Sequence, residues 1–205
     1  MLGATWVMWL LVALSVVCVA IMLERAYYLF SGRDDIQSLR IELRKLLGAG
    51  DVEGAKKRLA SSKAYEAQVV HAALEGVDHG PDSVEETLHA ETALAKARME
   101  RNLAFLGTVG NNAPFVGLLG TVIGIIRAFH ELNQSAGEVT SGLMAEVGEA
   151  LVATAIGLLV ALPAVASYNF FQRLVKNRLT WTGTLGSEVL AYAKSTVHGS
   201  AKGAK

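Results

Sequence analysis

The chain has 205 residues, 52% of them hydrophobic, and its 19 basic and 19 acidic residues balance to a formal net charge of zero. The positive mean hydropathy of +0.35 and the 20 glycines are typical of a polytopic membrane protein rather than a soluble one. This composition gives no sign of a nucleic-acid partner, and we predict none. The single cysteine, Cys18, excludes a disulfide framework within one chain.

Three segments without a formal charge are long enough to cross a membrane: Ala4 to Leu23, Leu103 to Ile126, and Ala150 to Phe171. The last has 22 residues, which make about 33 Å of helix, and the hydrocarbon core of a bilayer is about 30 Å thick. The sequence therefore predicts an all-α polytopic membrane protein with three transmembrane helices. We expect a cytoplasmic helical domain and long helices that continue from the membrane into the cytoplasm.

The first transmembrane helix is predicted over residues 1–23, with the N-terminus outside. Basic residues set this orientation, because 12 lie between Glu24 and Asn102, none between His130 and Glu146, and six after Phe171. Arg127 departs from the pattern, and we expect its side chain to snorkel to the outer interface. The first segment lacks a basic stretch before it and is expected to be an uncleaved anchor.

Residues 24–102 are predicted to form the cytoplasmic helical domain. Its first helix has apolar residues at helical spacing and ends at a glycine pair: Ile36, Leu39, Leu43, Leu46, Leu47, then Gly48 and Gly50. Asp51 is expected to cap a short second helix, "VEGAKKRLA". Charged side chains on these helices are interpreted as a solvated face, and the histidines show no metal-ligand spacing.

A third helix is predicted to begin at "PDSVEETL", where Ser83 and Glu86 have the spacing of a capping box. Because no strong stop signal follows, we expect one helix of about 46 residues that reaches Phe129. Its last part, residues 103–129, is the predicted second transmembrane helix. Pro114 leaves the carbonyl of Gly110 without its helical donor, which predicts a kink there.

The second transmembrane helix carries a face of small residues. Gly117, Gly120, Thr121 and Gly124 follow the i, i+3, i+4, i+7 spacing of one helix side, which we call the small-residue face. Such a face lets another helix backbone approach closely, so the three glycines are predicted to pack against a neighbouring helix. Residues 130–146 are predicted to form a short periplasmic loop.

The third transmembrane helix is predicted over residues 147–171, followed by a cytoplasmic tail over 172–205. It contains Glu149 near its start, Thr154, a packing glycine at Gly157 and a second kink at Pro163. An ionisable residue at membrane depth indicates a functional site, although a hydrated interfacial charge or a helix N-terminal cap is the alternative for Glu149. Thr154 lies about 140° around the helix from Glu149, so the two do not share one narrow face.

Two motifs resemble the signature spans of a known family: "APFVGLLGTVIGI" (Ala113 to Ile125) and "GEALVATAIGLLVALPAVASYN" (Gly148 to Asn169). Both are similar to the ExbB/TolQ branch of the ExbB/TolQ/MotA proton-channel family. The resemblance implies a homo-oligomeric ring, with five subunits expected, around an ExbD/TolR-type single-span partner that supplies an aspartate. It also implies that Thr121 and Thr154 are pore threonines facing that aspartate, and that Glu149 is linked to proton conduction.

The expected function is therefore that of a proton-channel subunit in a bacterial inner-membrane motor, which energises outer-membrane uptake, maintains the envelope or drives gliding. We expect no enzyme activity, cofactor or metal, because the chain has no GxxxxGK[ST] nucleotide motif and no HExxH. All five aspartates lie outside the predicted spans, so a second chain must bring another titratable group. A non-conducting membrane scaffold that anchors a partner is the alternative.

Overall fold

The computed structural model describes residues 5–32, 34–134 and 139–203, with side chains as far as residue 197. Within these ranges every regular element is a helix: α1 (Thr5–Ser31), α2 (Ile36–Gly48), α3 (Val52–Ala60), α4 (Tyr65–Glu75), a short 3₁₀ helix (Val77–His79), α5 (Pro81–Glu100), α6 (Leu103–Gln134) and α7 (Ser141–Gly203). Three helices are long and apolar enough to cross a membrane. The predicted all-α, three-span architecture is confirmed.

The chain divides into two compact units. The first contains the chain up to Glu24 together with Asn102–Phe171, and therefore the apolar parts of α1, α6 and α7. Its large side chains are mostly exposed, including Phe115, Ile126, Leu159 and Leu162. In water such a surface would be unstable, whereas in a bilayer it is the ordinary surface of a membrane protein.

Close packing in the first unit depends on glycines of α6 and α7. A Cβ at Gly117 would lie 3.0 Å from the carbonyl oxygen of Ala153, and a Cβ at Gly157 would lie 2.7 Å from that of Ala113. At Gly120, a Cβ would lie 2.7 Å from the Cβ of Ala153. The two backbones approach as closely as they do because these positions carry no side chain.

The second unit contains Arg25–Arg101 and the chain from Gln172 onward. Its apolar core joins α2, α3, α4 and α5 to the last part of α7, with fully buried members such as Leu39, Leu59, Leu74 and Leu185. Asp51 caps α3 by accepting the N–H of Gly54. Helix α3 covers Val52–Ala60, the same residues as the predicted second helix, so that prediction is confirmed at both ends.

The predicted helix from Ser83 to Phe129 is wrong because it breaks between α5 and α6. Asn102 adopts φ 62, in the left-handed region, and the residue before it, Arg101, has an extended ψ of 134. Asparagine tolerates this conformation better than most residues because its short polar side chain bonds locally. One residue in this region is enough to end one helix and begin another.

The capping box at Ser83 is also wrong. Helix α5 begins earlier, at Pro81, after Gly80 with φ 96, and no side chain caps it. Proline is favoured in the first turn because its missing N–H would have no helical partner there. A glycine followed by a proline therefore sets this helix start without a side-chain cap.

Helices α6 and α7 extend into the segment predicted as a loop, residues 130–146. Helix α6 continues to Gln134 and α7 begins at Ser141, where the Thr140 hydroxyl accepts the N–H of Leu143 at 3.2 Å. Thr140 is therefore the N-cap of α7, and the loop prediction overlooked this threonine as a helix start signal. Pro114 and Pro163 lie inside α6 and α7, which continue past them, and the kinks stay predictions.

Candidate functional site

Glu149 lies within α7 rather than at its start. The helix begins at Ser141, so Glu149 is about two turns beyond the capped end and cannot serve as its N-terminal cap. Its Oε1 accepts a hydrogen bond of 2.7 Å from the hydroxyl of Thr5, at the beginning of α1. The interpretation of Glu149 as a helix cap is therefore wrong, and its carboxylate is directed towards α1.

Thr154 bridges α7 and α6. Its hydroxyl donates to the carbonyl oxygen of Gly117 at 2.9 Å, and the side chain is partly buried. The contact is possible because Gly117 presents bare backbone to α7. The hydroxyl therefore ties together the two helices that carry the family-like motifs.

Thr121 has a local partner instead. Its hydroxyl donates to the carbonyl oxygen of Leu118 in the same helix at 2.7 Å, and the side chain is partly exposed. Among the described residues, no hydrogen bond joins Glu149, Thr121 and Thr154 to one another. In a single chain the three predicted pathway residues lie on α6 and α7 with separate partners, and their role stays a prediction.

A second carboxylate, Glu146, lies three residues before Glu149 on α7. It forms an ion pair with Arg127 of α6, with 3.2 Å between Nη1 and Oε1, and both side chains are about a quarter exposed. The other oxygen of Glu146, Oε2, is buried without a hydrogen-bond partner. Sequence reasoning placed Glu146 in the predicted loop and expected Arg127 to snorkel to the interface, so it missed this ion pair.

The second unit contains a buried arginine that sequence reasoning also missed. The Nη atoms of Arg178 donate to the carbonyl oxygens of Leu29 at 2.7 Å and Gly32 at 3.0 Å. The same guanidinium pairs with Glu66 at 3.3 Å, where both side chains are almost fully buried. Burial raises the pKa of Glu66 and Arg178 opposes that shift. The interpretation of charged side chains in the cytoplasmic domain as a solvated face does not hold for Glu66.

A tyrosine, Tyr65, lies beside the same arginine and contacts a second tyrosine, Tyr28. The ring of Tyr65 lies 5.4 Å from the guanidinium carbon and stacks on Tyr28 with 5.0 Å between ring centroids. The Tyr65 hydroxyl donates to the carbonyl oxygen of Tyr28. Burial, and after it the neighbouring Tyr28 side chain, raises the pKa of Tyr65 to about 12. Among the residues that the structure describes, no group of three or more His, Cys, Asp or Glu side chains is arranged to hold a metal ion.

The fold and these helices define a multi-pass α-helical membrane protein with polar side chains on tightly packed spans. The model of the MotA/TolQ/ExbB proton channel family matches residues 61–182, a range that includes Thr121, Glu149 and Thr154. The chain belongs to this family.

Named relatives agree with that assignment. The biopolymer transport protein ExbB of Salmonella typhimurium is 32% identical over 188 residues, which cover 88% of this chain and 77% of the relative. The Tol-Pal system protein TolQ of Pseudomonas aeruginosa is 38% identical over 127 residues, 60% of this chain and 54% of the relative. An ExbB-like protein of Helicobacter pylori is 44% identical over 75 residues, 37% of this chain and 50% of the relative. The matched part thus spans about half the length of two of these three relatives.

Proposed function

We propose that this chain is the ring-forming proton-channel subunit of a bacterial inner-membrane motor, which converts the proton-motive force into mechanical work and is not an enzyme. The observation that carries the proposal is Glu149, a carboxylate inside a membrane-spanning helix and away from the capped helix end. A carboxylate in such a place costs free energy because the bilayer interior disfavours charge, and such residues typically mark functional sites. Proton handling is the task that fits the family.

The motor also needs a partner. Every aspartate of this chain lies outside the membrane-spanning helices, and a proton does not cross about 30 Å of hydrocarbon on Glu149 and two threonines alone. We propose a homo-oligomer, with five subunits expected, around an ExbD/TolR-type single-span partner that supplies an aspartate. The driving force is the membrane potential, about 2.3 kcal/mol per charge per 100 mV, together with the pH gradient. No cofactor takes part.

The exposed apolar faces of α6 and α7 support this assembly, because they offer surface for neighbouring subunits as well as for lipid. The distribution of basic residues supports a periplasmic N-terminus and a cytoplasmic C-terminus. With this orientation, Glu149 and the Arg127–Glu146 pair lie towards the periplasmic side, where protons enter from outside.

A non-conducting scaffold is the second candidate. It is favoured by the hydroxyl bonds of Thr121 and Thr154, which are complete within one chain and need no proton route to explain them. A scaffold would still form a ring and hold a partner, so assembly alone does not separate the two functions.

Purification from native membranes and reconstitution into vesicles separate them. Mass spectrometry of the purified complex is expected to identify a small protein with one apolar segment that contains an aspartate. Vesicles that contain the complex are expected to acidify when a negative-inside potential is imposed. A stable complex that passes no protons under this potential supports the scaffold, and a monomer without any partner contradicts both proposals.

A further inference from the structure

The contact between Thr5 and Glu149 gives α1 a part in the candidate site. Thr5 is the first described residue of α1, and its hydroxyl donates to a carboxylate 144 positions further along the chain. The family resemblance assigns pathway residues on α6 and α7 alone. A polar contact from α1 to the one carboxylate implicated in conduction is therefore a separate observation.

The backbones on both sides of this contact are held by packing. On α1, Val7 and Leu11 are fully buried, and the Val7 Cγ1 lies 3.4 Å from where a Cβ at Gly120 would be. On α7, Ala150 and Ala153, one and four residues after Glu149, are buried. Because Thr5 is also β-branched, its χ1 is restricted, so the hydroxyl is presented to Glu149 in a defined direction.

The two carboxylate oxygens of Glu149 have different hydrogen-bonding environments. Oε1 accepts from Thr5, whereas the side chain is only partly buried and Oε2 has no hydrogen-bond partner among the described residues. A proton that binds Oε2 leaves Oε1 as a carbonyl-type acceptor, so the bond to Thr5 persists in both protonation states. The hydroxyl thus holds the carboxylate in one place while the proton arrives and leaves.

We propose that Thr5 is a positioning residue for Glu149, which fixes the carboxylate to α1 through Oε1 and leaves Oε2 to exchange the proton. This proposal rests on the proton role of Glu149. The outer end of α1 is then a part of the conducting unit. We expect removal of the Thr5 hydroxyl to lower proton flux several-fold while the complex stays assembled.

Three variants of the full-length complex test the hydroxyl. Thr5→Val keeps the shape and removes the donor, and Thr5→Ser restores a donor on a smaller side chain. Thr108→Val is the matched control, since the Thr108 hydroxyl donates to the carbonyl oxygen of Ala104 within α6. If Thr5→Val does not assemble, Thr5→Ala takes its place, with Thr5→Ser as the rescue.

The first readout is the infrared carboxylate band of Glu149, identified by its loss in Glu149→Gln. We expect Thr5→Val to shift this band, and Thr5→Ser and Thr108→Val to leave it in place. This measurement detects the hydrogen bond whether or not the motor turns. An unshifted band in Thr5→Val overturns the proposal.

The second readout is proton flux into vesicles under an imposed potential. Thr5→Val is expected to lose flux several-fold, whereas Thr5→Ser and Thr108→Val keep it. Full flux in Thr5→Val, with Glu149→Gln inactive, overturns the positioning role and leaves the proposed function intact. Full flux in Glu149→Gln overturns the proposed function itself, and the role of Thr5 with it.

Discussion

Removing the buried guanidinium of Arg178 tests how the second unit is held together. In Arg178→Met the carbonyl oxygens of Leu29 and Gly32 lose their donors, and the carboxylate of Glu66 loses its counter-charge. Methionine has a similar length and fills part of the same space, so the loss is mainly one of charge and hydrogen bonds. All of these groups lie within the second unit.

The magnitude follows from burial. The side chains of Arg178 and Glu66 are 7% and 3% exposed, so water does not replace the lost contacts. Removal of one partner from such a buried pair typically costs about 3–5 kcal/mol, because the other charge remains without compensation. For a chain of this size that corresponds to a fall of roughly 6–20 °C in the thermal midpoint.

Thermal unfolding in one detergent, followed by far-ultraviolet circular dichroism, measures this fall. The control is Arg40→Met, which breaks the Arg40–Glu188 pair, whose arginine is 42% exposed. We expect that change to cost about 1 kcal/mol or less. The double variant Arg178→Met with Glu66→Gln is expected to recover part of the loss, since no buried charge is then left unpaired. Equal thermal midpoints for Arg178→Met and Arg40→Met would show that the buried Arg178–Glu66 pair stabilises the second unit no more than an exposed pair does.

Three further predictions concern packing, the pore and pH. Gly157→Ala is expected to destabilise the first unit by about 1–3 kcal/mol, because its Cβ would meet the Ala113 carbonyl oxygen at 2.7 Å. Gly183→Ala is the control, since a Cβ there has no atom within 4 Å. Equal thermal midpoints for the two variants would contradict the close packing at Gly157. Thr154→Val is expected to assemble normally and to lower proton flux in vesicles, and unchanged flux would reduce its hydroxyl to a packing contact. Because the folded protein holds the pKa of Tyr65 at about 12, above the ordinary 10.0, its contribution to stability is complete below pH 10 and is lost as pH rises through 12. Alkaline absorbance titration is expected to show a tyrosinate step near pH 12 that Tyr65→Phe removes, and the absence of such a step would count against the buried site.

The parts of the fold that sequence predicted correctly depend on local signals. The start of helix α3 was predicted correctly because Asp51 precedes it and its carboxylate accepts the N–H of Gly54. The three spans followed from apolar length alone. The missed break at Asn102 has no comparable signal, because asparagine can adopt either a helical or a left-handed conformation and the surrounding structure determines which one forms.

The polar contacts between residues far apart in the chain could not be predicted from local sequence patterns. Arg178 and Glu66 are 112 positions apart, and Thr5 and Glu149 are 144 apart, so neither pair is readable from spacing along one helix. Periodicity did indicate the small-residue face of α6. It did not indicate that α1 supplies a hydrogen bond to Glu149, because only the packing of α1 brings Thr5 there.

Proton flux through the assembled complex with Glu149→Gln tests the proton role of Glu149 itself. Glutamine keeps the shape and a hydrogen-bond acceptor for Thr5 but cannot ionise, so we expect a complex of normal size with its partner and little or no flux. Glu85→Gln, an exposed position in the second unit, is the control and is expected to conduct normally. Normal assembly with wild-type flux in Glu149→Gln would contradict the proton role of Glu149.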